Sequence, residues 1–364
     1  MVFLRLQNWR NKTLKKIEQY GWTDSRAAEI TTAGQPGRVL LEHKHLYRVV
    51  TEDGEWLCSV SGKYRHGHSR GEFPAVGDWV IAEKMQGEER GVIHQVLPRT
   101  SQFSRKVAGD TTEIQLIAVN VDYVFLVTSL NHDFNLRRLE RYLLAAWDSD
   151  ANPVIVLTKR DQCSDPDSFI RETETIAFGV PIHAVSSVTG EGIAELHRLL
   201  AGGKTGALLG SSGVGKSSLI NALSGETVMA VQDIREDDSK GRHTTTHREL
   251  ILLPGGGLLI DTPGMREFQL WESSGGMDTG FSDVESLAGL CRFRDCGHTN
   301  EPGCAVQESL QNGTLAEDRW GSYIKLQREL AHIERKHDAA AQKAERSKWK
   351  QITKDNRKRP VKKR

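Results

Sequence analysis

A chain of 364 residues, 38% of them hydrophobic, can form two or three domains with separate cores, which excludes an intrinsically disordered protein. No stretch reaches the roughly 18 apolar residues of a membrane-spanning helix, and the first residues do not form a secretory signal. Five cysteines, an odd number, argue against a disulfide framework. We therefore expect a soluble, cytoplasmic protein without membrane contact. The net charge of +1 conceals a basic C-terminal tail, residues 338–364, which either binds phosphate backbones or is simply solvated.

The first predicted elements are short strands, which follow a basic extension over residues 1–36. Between residues 37 and 105, β-branched and alternating runs are separated by turn residues. About five strands in about 70 residues favour an OB-type β-barrel. Within it, Lys63–Arg70 is either a basic loop whose aromatic residue stacks on nucleic-acid bases or an exposed polar hairpin.

Residues 112–272 change to apolar strands that alternate with helices, which indicates an α/β domain with a mostly parallel sheet. The predicted strands are Val121–Leu130, Pro153–Leu157, Ile182–Val185 and Gly206–Leu209, and the predicted helices are Leu136–Trp147, Ser168–Phe178, Ala194–Leu200 and Lys216–Leu223. Ligands of such sheets bind beyond the carboxyl ends of the strands.

The segment Gly210-Ser211-Ser212-Gly213-Val214-Gly215-Lys216-Ser217-Ser218 matches G-x-x-x-x-G-K-S between a predicted strand and a predicted helix. Its glycines allow backbone N–H groups to turn toward phosphate oxygens. Lys216 then reaches the β- and γ-phosphates, and Ser217 can ligate Mg²⁺. The motif predicts a phosphate-binding loop.

A metal-associated aspartate is predicted at Asp261, which ends the strand before Thr262-Pro263-Gly264 and would hold Mg²⁺ through water. The backbone N–H of Gly264 would face the γ-phosphate. Gly241–His247 is either a switch loop or a simple polar loop. If it is a switch, one of its threonines completes the Mg²⁺ coordination; we take Thr245, although the sequence does not distinguish the three.

Guanine recognition is predicted at Thr158-Lys159-Arg160-Asp161, which follows an apolar strand. A carboxylate at Asp161 can accept both the ring N–H and the exocyclic amine of guanine, and Lys159 would lie over the base. The usual motif begins with Asn, so Thr158 leaves the contacts of that amide unassigned. Ser186 and Ser187, after another strand, fit the loop that touches the guanine oxygen.

The guanine loop precedes the phosphate loop, the reverse of the order in ordinary GTPases. With these motifs in that order, the chain resembles the circularly permuted GTPases of small-ribosomal-subunit assembly, the RsgA family, over nearly its whole length. The resemblance implies a GTPase that acts in late maturation of the small (30S) subunit, contacts 16S rRNA, binds GTP and GDP, and works as a monomer.

Catalysis lacks one expected group, because Met265 stands where many GTPases have a glutamine that orients the attacking water. We therefore expect slow intrinsic hydrolysis that the ribosomal subunit stimulates. His243 is a candidate substitute, although a histidine in a polar loop is often merely exposed.

A zinc site is predicted in the third region, a helical domain over residues 273–337. Cys291, Cys296, His298 and Cys304 form C-x4-C-x-H-x5-C, a complete tetrahedral ligand set that leaves no open position for catalysis, so one structural Zn²⁺ is expected. The alternative is cysteines that are close by chance.

Two other functions stay open at the level of the sequence. One is a permuted GTPase that serves the large subunit or another RNA. The other is an RNA-binding scaffold that holds GTP with little turnover, which Met265 permits. In the favoured function, the segment after Gly264 continues directly into the zinc domain, so the nucleotide state would control contact with rRNA and release from it.

Overall fold

The computed structural model describes residues 15–43, 45–106, 114–227, 248–261, 280–299, 301–328 and 330–331. The chain divides into two compact units. The first unit contains the described residues up to Asp261, and the second contains those from residue 280 onward. Within the described residues, no helix combines the length and the apolar character needed to cross a membrane.

The first unit begins with a closed five-stranded barrel. Its strands are β1 (Gln35–His43), β2 (Leu46–Thr51), β3 (Gly54–Val60), β4 (Trp79–Lys84) and β5 (Arg90–Val96), after a short helix α1 (Lys15–Glu18). They pair in the order β1-β2-β3-β5-β4, and β4 closes the barrel by pairing with β1. Inward residues on alternating positions, such as Tyr47, Val49 and Trp56, fill the interior. The prediction of an OB-type barrel is confirmed.

The basic segment of the barrel contains a short helix, α2 (Gly62–Gly67). Its aromatic residue Tyr64 is 6% exposed, donates its hydroxyl to the carbonyl oxygen of Glu72 at 2.7 Å, and stacks on His68 with ring centroids 3.9 Å apart. Burial raises the pKa of Tyr64 to about 12, so the phenol stays a neutral donor. Neither alternative for Lys63–Arg70 is correct: Tyr64 is not free to stack on bases, because its ring is buried in the barrel cluster, and residues 62–67 form a helix and not a hairpin.

The α/β part contains six strands: β8 (Tyr123–Ser129), β9 (Asn152–Thr158), β10 (Ile182–Ala184), β11 (Thr205–Leu209), β12 (Glu249–Leu252) and β13 (Leu258–Asp261). Five of them are parallel, in the order β10-β9-β8-β11-β13, and antiparallel β12 lies beside β13. The helices are α3 (Leu136–Trp147), α4 (Pro166–Glu174), α5 (Ile193–Leu200) and α6 (Lys216–Ser224). One apolar cluster lies on each face of the sheet, as expected for parallel strands buried on both sides.

Helix α4 begins two residues before its predicted start. Asp165 accepts a hydrogen bond from the backbone N–H of Ser168 at 3.2 Å, and Pro166 follows it. Proline suits the first helical position because its missing N–H would have no partner there. A two-stranded sheet of β6 (Gln102–Lys106) and β7 (Ile114–Val119), which was not among the predicted strands, connects the barrel to the α/β part.

The barrel and the α/β part share one sheet of 11 strands, because β1 pairs with β12. Buried Arg38 reinforces this junction: it donates to Thr205 Oγ1 at 2.8 Å and to the carbonyl oxygen of Asn120 at 3.1 Å. Desolvation lowers the pKa of Arg38 to about 10, so the side chain stays charged at neutral pH. The barrel is therefore fixed to the α/β part by several contacts.

The second unit is helical, as predicted. It contains α7 (Ser282–Gly289), α8 (Ala305–Gln311) and a helix α9 that includes residues 317–328. Buried Arg319 pairs with Asp283 at 3.0 Å and lies 4.0 Å from the ring centroid of Phe281, so it joins the last helix to the first. Helix α9 is continuous across residues 317–328.

Candidate nucleotide and zinc sites

The phosphate loop lies between β11 and α6, and its glycines occupy positions that other residues fit poorly. Gly213 has a φ of 78° and Gly215 a φ of 91°, in the left-handed region. A Cβ atom on Gly210 would lie 2.3 Å from the carbonyl oxygen of Val127. These constraints bend the chain tightly ahead of the α6 N-terminus, the geometry that directs backbone N–H groups toward a phosphate.

The Lys216 ammonium lies across this loop, donating to the carbonyl oxygens of Gly210 at 2.7 Å and Ser211 at 2.6 Å. The Ser211 hydroxyl donates to Asp133 Oδ2 at 3.1 Å, and Asp133 pairs with Arg138 at 3.0 Å. Asp133 belongs to none of the sequence motifs. Its only signal was its place just beyond the carboxyl end of β8, where ligands of such sheets bind.

Thr158 links the guanine loop to the phosphate loop. Its Oγ1 lies 2.5 Å from the carbonyl oxygen of Val214 and 3.2 Å from that of Thr128, and the side chain is 2% exposed. A hydroxyl has one proton to donate, and the shorter distance identifies Val214 as its main acceptor. The hydroxyl of Thr158 thus makes a direct contact between the two loops where the usual motif has an amide.

Asp161 is held by the loop that follows β10. Fully buried Ser186 donates its hydroxyl to Asp161 Oδ1 at 2.6 Å and accepts the backbone N–H groups of Val188 at 3.2 Å and Thr189 at 3.1 Å. Arg160, next to Asp161, pairs with Glu191 at 2.8 Å. These contacts fix the orientation of the carboxylate, which an acceptor for two guanine donors requires.

Lys159 takes a left-handed conformation, with a φ of 62°, at the sharp turn between β9 and Asp161. Ser187 follows Ser186 in the same turn. The structure therefore places Thr158, Lys159, Arg160, Asp161, Ser186 and Ser187 together at the carboxyl ends of β9 and β10.

The oxygen donors expected for Mg²⁺ lie at the same edge of the sheet. Strands β11 and β13 run parallel, with Ala207 opposite Ile260, so Asp261 ends its strand beside the strand that leads into the phosphate loop. Ser217 lies in the first turn of α6. A carboxylate and a hydroxyl are hard oxygen ligands, so the donor set fits Mg²⁺. Three other predicted site residues, His243, Thr245 and Gly264, lie outside the described residues, as does Met265 at the position of the missing glutamine.

The four predicted zinc ligands come together in the second unit. Cys291 Sγ lies 3.5 Å from His298 Nδ1 and 3.9 Å from Cys304 Sγ, and Cys304 Sγ lies 3.6 Å from His298 Nδ1. With Cys296 Sγ, all ligand atoms lie within 4.8 Å of one another. A tetrahedral Zn²⁺ with Zn–S bonds of about 2.3 Å separates its ligand atoms by about 3.5–4 Å, so the cluster fits this ion.

Residues around the cluster hold its histidine in place. Gln307 donates its side-chain amide to the carbonyl oxygen of His298 at 2.7 Å, and the His298 and Trp320 rings form a T-shaped pair with centroids 5.6 Å apart. The other two cysteines, Cys58 and Cys163, do not belong to this cluster.

Comparison with known proteins decides the family. The sequence profile described as RsgA GTPase matches residues 96–271. A protein of Oceanobacillus iheyensis named small ribosomal subunit biogenesis GTPase RsgA 1 is 49% identical over 323 residues, which cover 88% of this chain and 92% of that protein. This chain belongs to the RsgA family of GTPases.

Solved structures similar to this RsgA-family chain support the permuted fold. The crystal structure of YjeQ from Thermotoga maritima is 31% identical and has a TM-score of 0.59, covering 82% of this chain and 98% of that one. YloQ, described as a circularly permuted GTPase, is 25% identical with a TM-score of 0.59, covering 84% of this chain and 96% of that one. The predicted circular permutation is confirmed.

Proposed function

We propose that this RsgA-family protein hydrolyses GTP to GDP and phosphate and acts in late maturation of the small ribosomal subunit, where its GTP state controls contact with 16S rRNA and release from it. The Asp161 carboxylate supports the guanine preference, because Ser186 holds it at 2.6 Å and Thr158 joins its loop to the phosphate loop at 2.5 Å. The name of the Oceanobacillus relative supports the small subunit as the partner.

In this proposal each residue of the nucleotide site has a separate role. The backbone of Gly210–Ser218 surrounds the phosphates and Lys216 exchanges its two carbonyl acceptors for β- and γ-phosphate oxygens. Asp161 and Lys159 select and cover the base, and Ser187 meets the guanine oxygen. Ser217 and Asp261 would hold Mg²⁺, which neutralises charge on the phosphates when it is bound.

Catalysis is slow in the isolated protein because Met265 cannot orient the attacking water. When the protein is bound to the ribosomal subunit, His243 orients this water. Gly264 donates its N–H to the γ-phosphate, and Thr245 completes the Mg²⁺ coordination. These roles rest on the sequence motifs.

The second unit offers chemistry suited to single-stranded RNA. Between zinc ligands Cys291 and Cys296, Phe293 is 44% exposed and Arg292 lies 5.5 Å from its ring centroid. Arg294 is exposed next to it. An exposed aromatic ring flanked by guanidinium groups can stack on an unpaired base and contact its phosphates. We propose that this loop, the exposed cations of α2 and the tail 338–364 bind 16S rRNA, and that a monomer does so in the cytoplasm.

The test is GTP hydrolysis by the full chain alone, with purified 30S subunits and with purified 50S subunits. Stimulation by 30S subunits supports the proposal. Stimulation by 50S subunits instead indicates a large-subunit factor, and no stimulation by either indicates a scaffold that holds GTP with little turnover.

A further inference from the structure

Glu249 lies between the barrel and the strand that carries the proposed metal ligand. Its partner in the sheet is Leu41 of β1 on one side and Asp261 of β13 on the other. Residues directly opposite each other in an antiparallel pair have their side chains on the same face, with Cβ atoms about 5 Å apart. The sheet therefore brings the carboxylates of Glu249 and Asp261 to one face.

Arg48 of the barrel pairs with Glu249. Its Nη2 contacts Glu249 Oε1, and its Nε lies 3.7 Å from Glu55 Oε2 on the neighbouring strand β3. Arg248, the residue before Glu249, donates to the carbonyl oxygen of Leu116 in β7 at 2.9 Å. The ion pair between Arg48 and Glu249 thus connects strand β2 of the barrel to strand β12.

The charge of Glu249 acts on the metal end of β13 through space. A carboxylate several ångströms from Asp261 attracts a divalent cation held there, and a guanidinium paired with it cancels most of that attraction. Both side chains are about 40% exposed, at 39% for Arg48 and 41% for Glu249, so salt screens the effect.

We propose that Arg48 is a positioning residue of the nucleotide site: by pairing with Glu249, it sets the field at Asp261 and so the affinity for the Mg²⁺ that accompanies the nucleotide. This inference rests on the proposed role of Asp261 in the nucleotide site. It makes the barrel an electrostatic part of that site, although no barrel residue belongs to the nucleotide-binding motifs.

The test uses the full chain and measures binding. The release rate of a fluorescent GDP is followed while Mg²⁺ is titrated at low salt, which gives the Mg²⁺ concentration for half-maximal retention. Arg48→Ala leaves the Glu249 charge uncompensated and lowers this concentration about threefold, whereas Glu249→Gln removes that charge and raises it about threefold. Both shifts shrink when about 0.5 M KCl is added.

The opposite signs separate this role from a structural one, because both substitutions break the same ion pair. The double variant Arg48→Ala/Glu249→Gln restores the net charge and returns close to the wild-type value. Arg90→Ala and Glu88→Gln serve as matched controls, since they break a barrel ion pair (3.6 Å) at β5, a strand that does not pair with β12. Circular dichroism checks that each variant is folded.

The outcomes distinguish this inference from the proposed function. Wild-type GDP retention that does not respond to Mg²⁺, or a response that Asp261→Asn leaves intact, contradicts the assigned metal role and the inference together. A normal wild-type response with equal or same-sign shifts in Arg48→Ala and Glu249→Gln overturns the inference alone.

Discussion

Thr158 Oγ1 lies 2.5 Å from the carbonyl oxygen of Val214, which joins two nucleotide loops that are 56 residues apart in the chain. Thr158→Val keeps the shape of the side chain but removes the hydroxyl donor, so the carbonyl oxygen of Val214 loses this hydrogen bond. The loss of such a bond costs about 1–2 kcal/mol, so we expect about tenfold weaker binding of both GDP and GTP. Thr158→Ser keeps the hydroxyl and should bind nearly as the wild type. Equal affinities of the Val and Ser variants in fluorescent-nucleotide titrations would contradict this role.

Asp161→Asn should relax the guanine preference, because the amide presents a donor where guanine needs an acceptor. We expect GTP-over-ATP selectivity to fall by about 10- to 100-fold, corresponding to roughly 1–3 kcal/mol, while phosphate binding stays possible. Competition between the two nucleotides measures it. Ser186→Ala keeps the carboxylate but frees its orientation, so its loss of selectivity should be smaller. Unchanged selectivity in Asp161→Asn would remove Asp161 from its proposed role.

Lys216→Ala should abolish productive nucleotide binding, because the ammonium lies across the phosphate loop, where it would contact the β- and γ-phosphates. Arg198→Ala, which removes an exposed cation from α5, is the matched control and should leave binding unchanged. Isothermal titration with GTP measures both variants. Wild-type affinity and turnover in Lys216→Ala would overturn the assignment of the loop.

Cys304→Ser should lose the bound zinc and destabilise the second unit, because a structural zinc site contributes directly to folding. Elemental analysis should find about one zinc per wild-type chain. Cys163→Ser, outside the cluster, is the control and should keep the metal. GDP binding should survive in both variants, since the nucleotide residues lie in the other unit. Full zinc content in Cys304→Ser would exclude the proposed ligand set.

The nucleotide state should change amide exchange across residues 282–330. Those residues follow the proposed γ-phosphate-sensitive segment in the chain, so GDP and a non-hydrolysable GTP analogue should give different protection there. Residues 35–60 of the barrel provide an internal reference. Identical protection of residues 282–330 in both states would exclude the proposed route from nucleotide to zinc domain.

Local geometry explains which predictions succeeded. The glycines of the phosphate loop and the spacing of the cysteines act within a few residues, so their patterns can be read directly from the chain. The alternating runs of the barrel were equally local. The environment of Tyr64 was left open because it depends on packing in the barrel cluster against residues distant in the chain. The start of α4 was missed although its signal, the Asp165 cap followed by Pro166, is local.

The sequence by itself determined the family, the permuted order of the nucleotide motifs and the identity of the candidate ligands, because each is encoded in short segments with their own backbone or coordination requirements. Only the tertiary structure decided that Thr158 bonds to Val214, that Asp133 holds Ser211 and that Glu249 lies between Leu41 and Asp261. These contacts join segments distant in the chain, and strand order and register, which bring them together, are set by packing of the whole sheet.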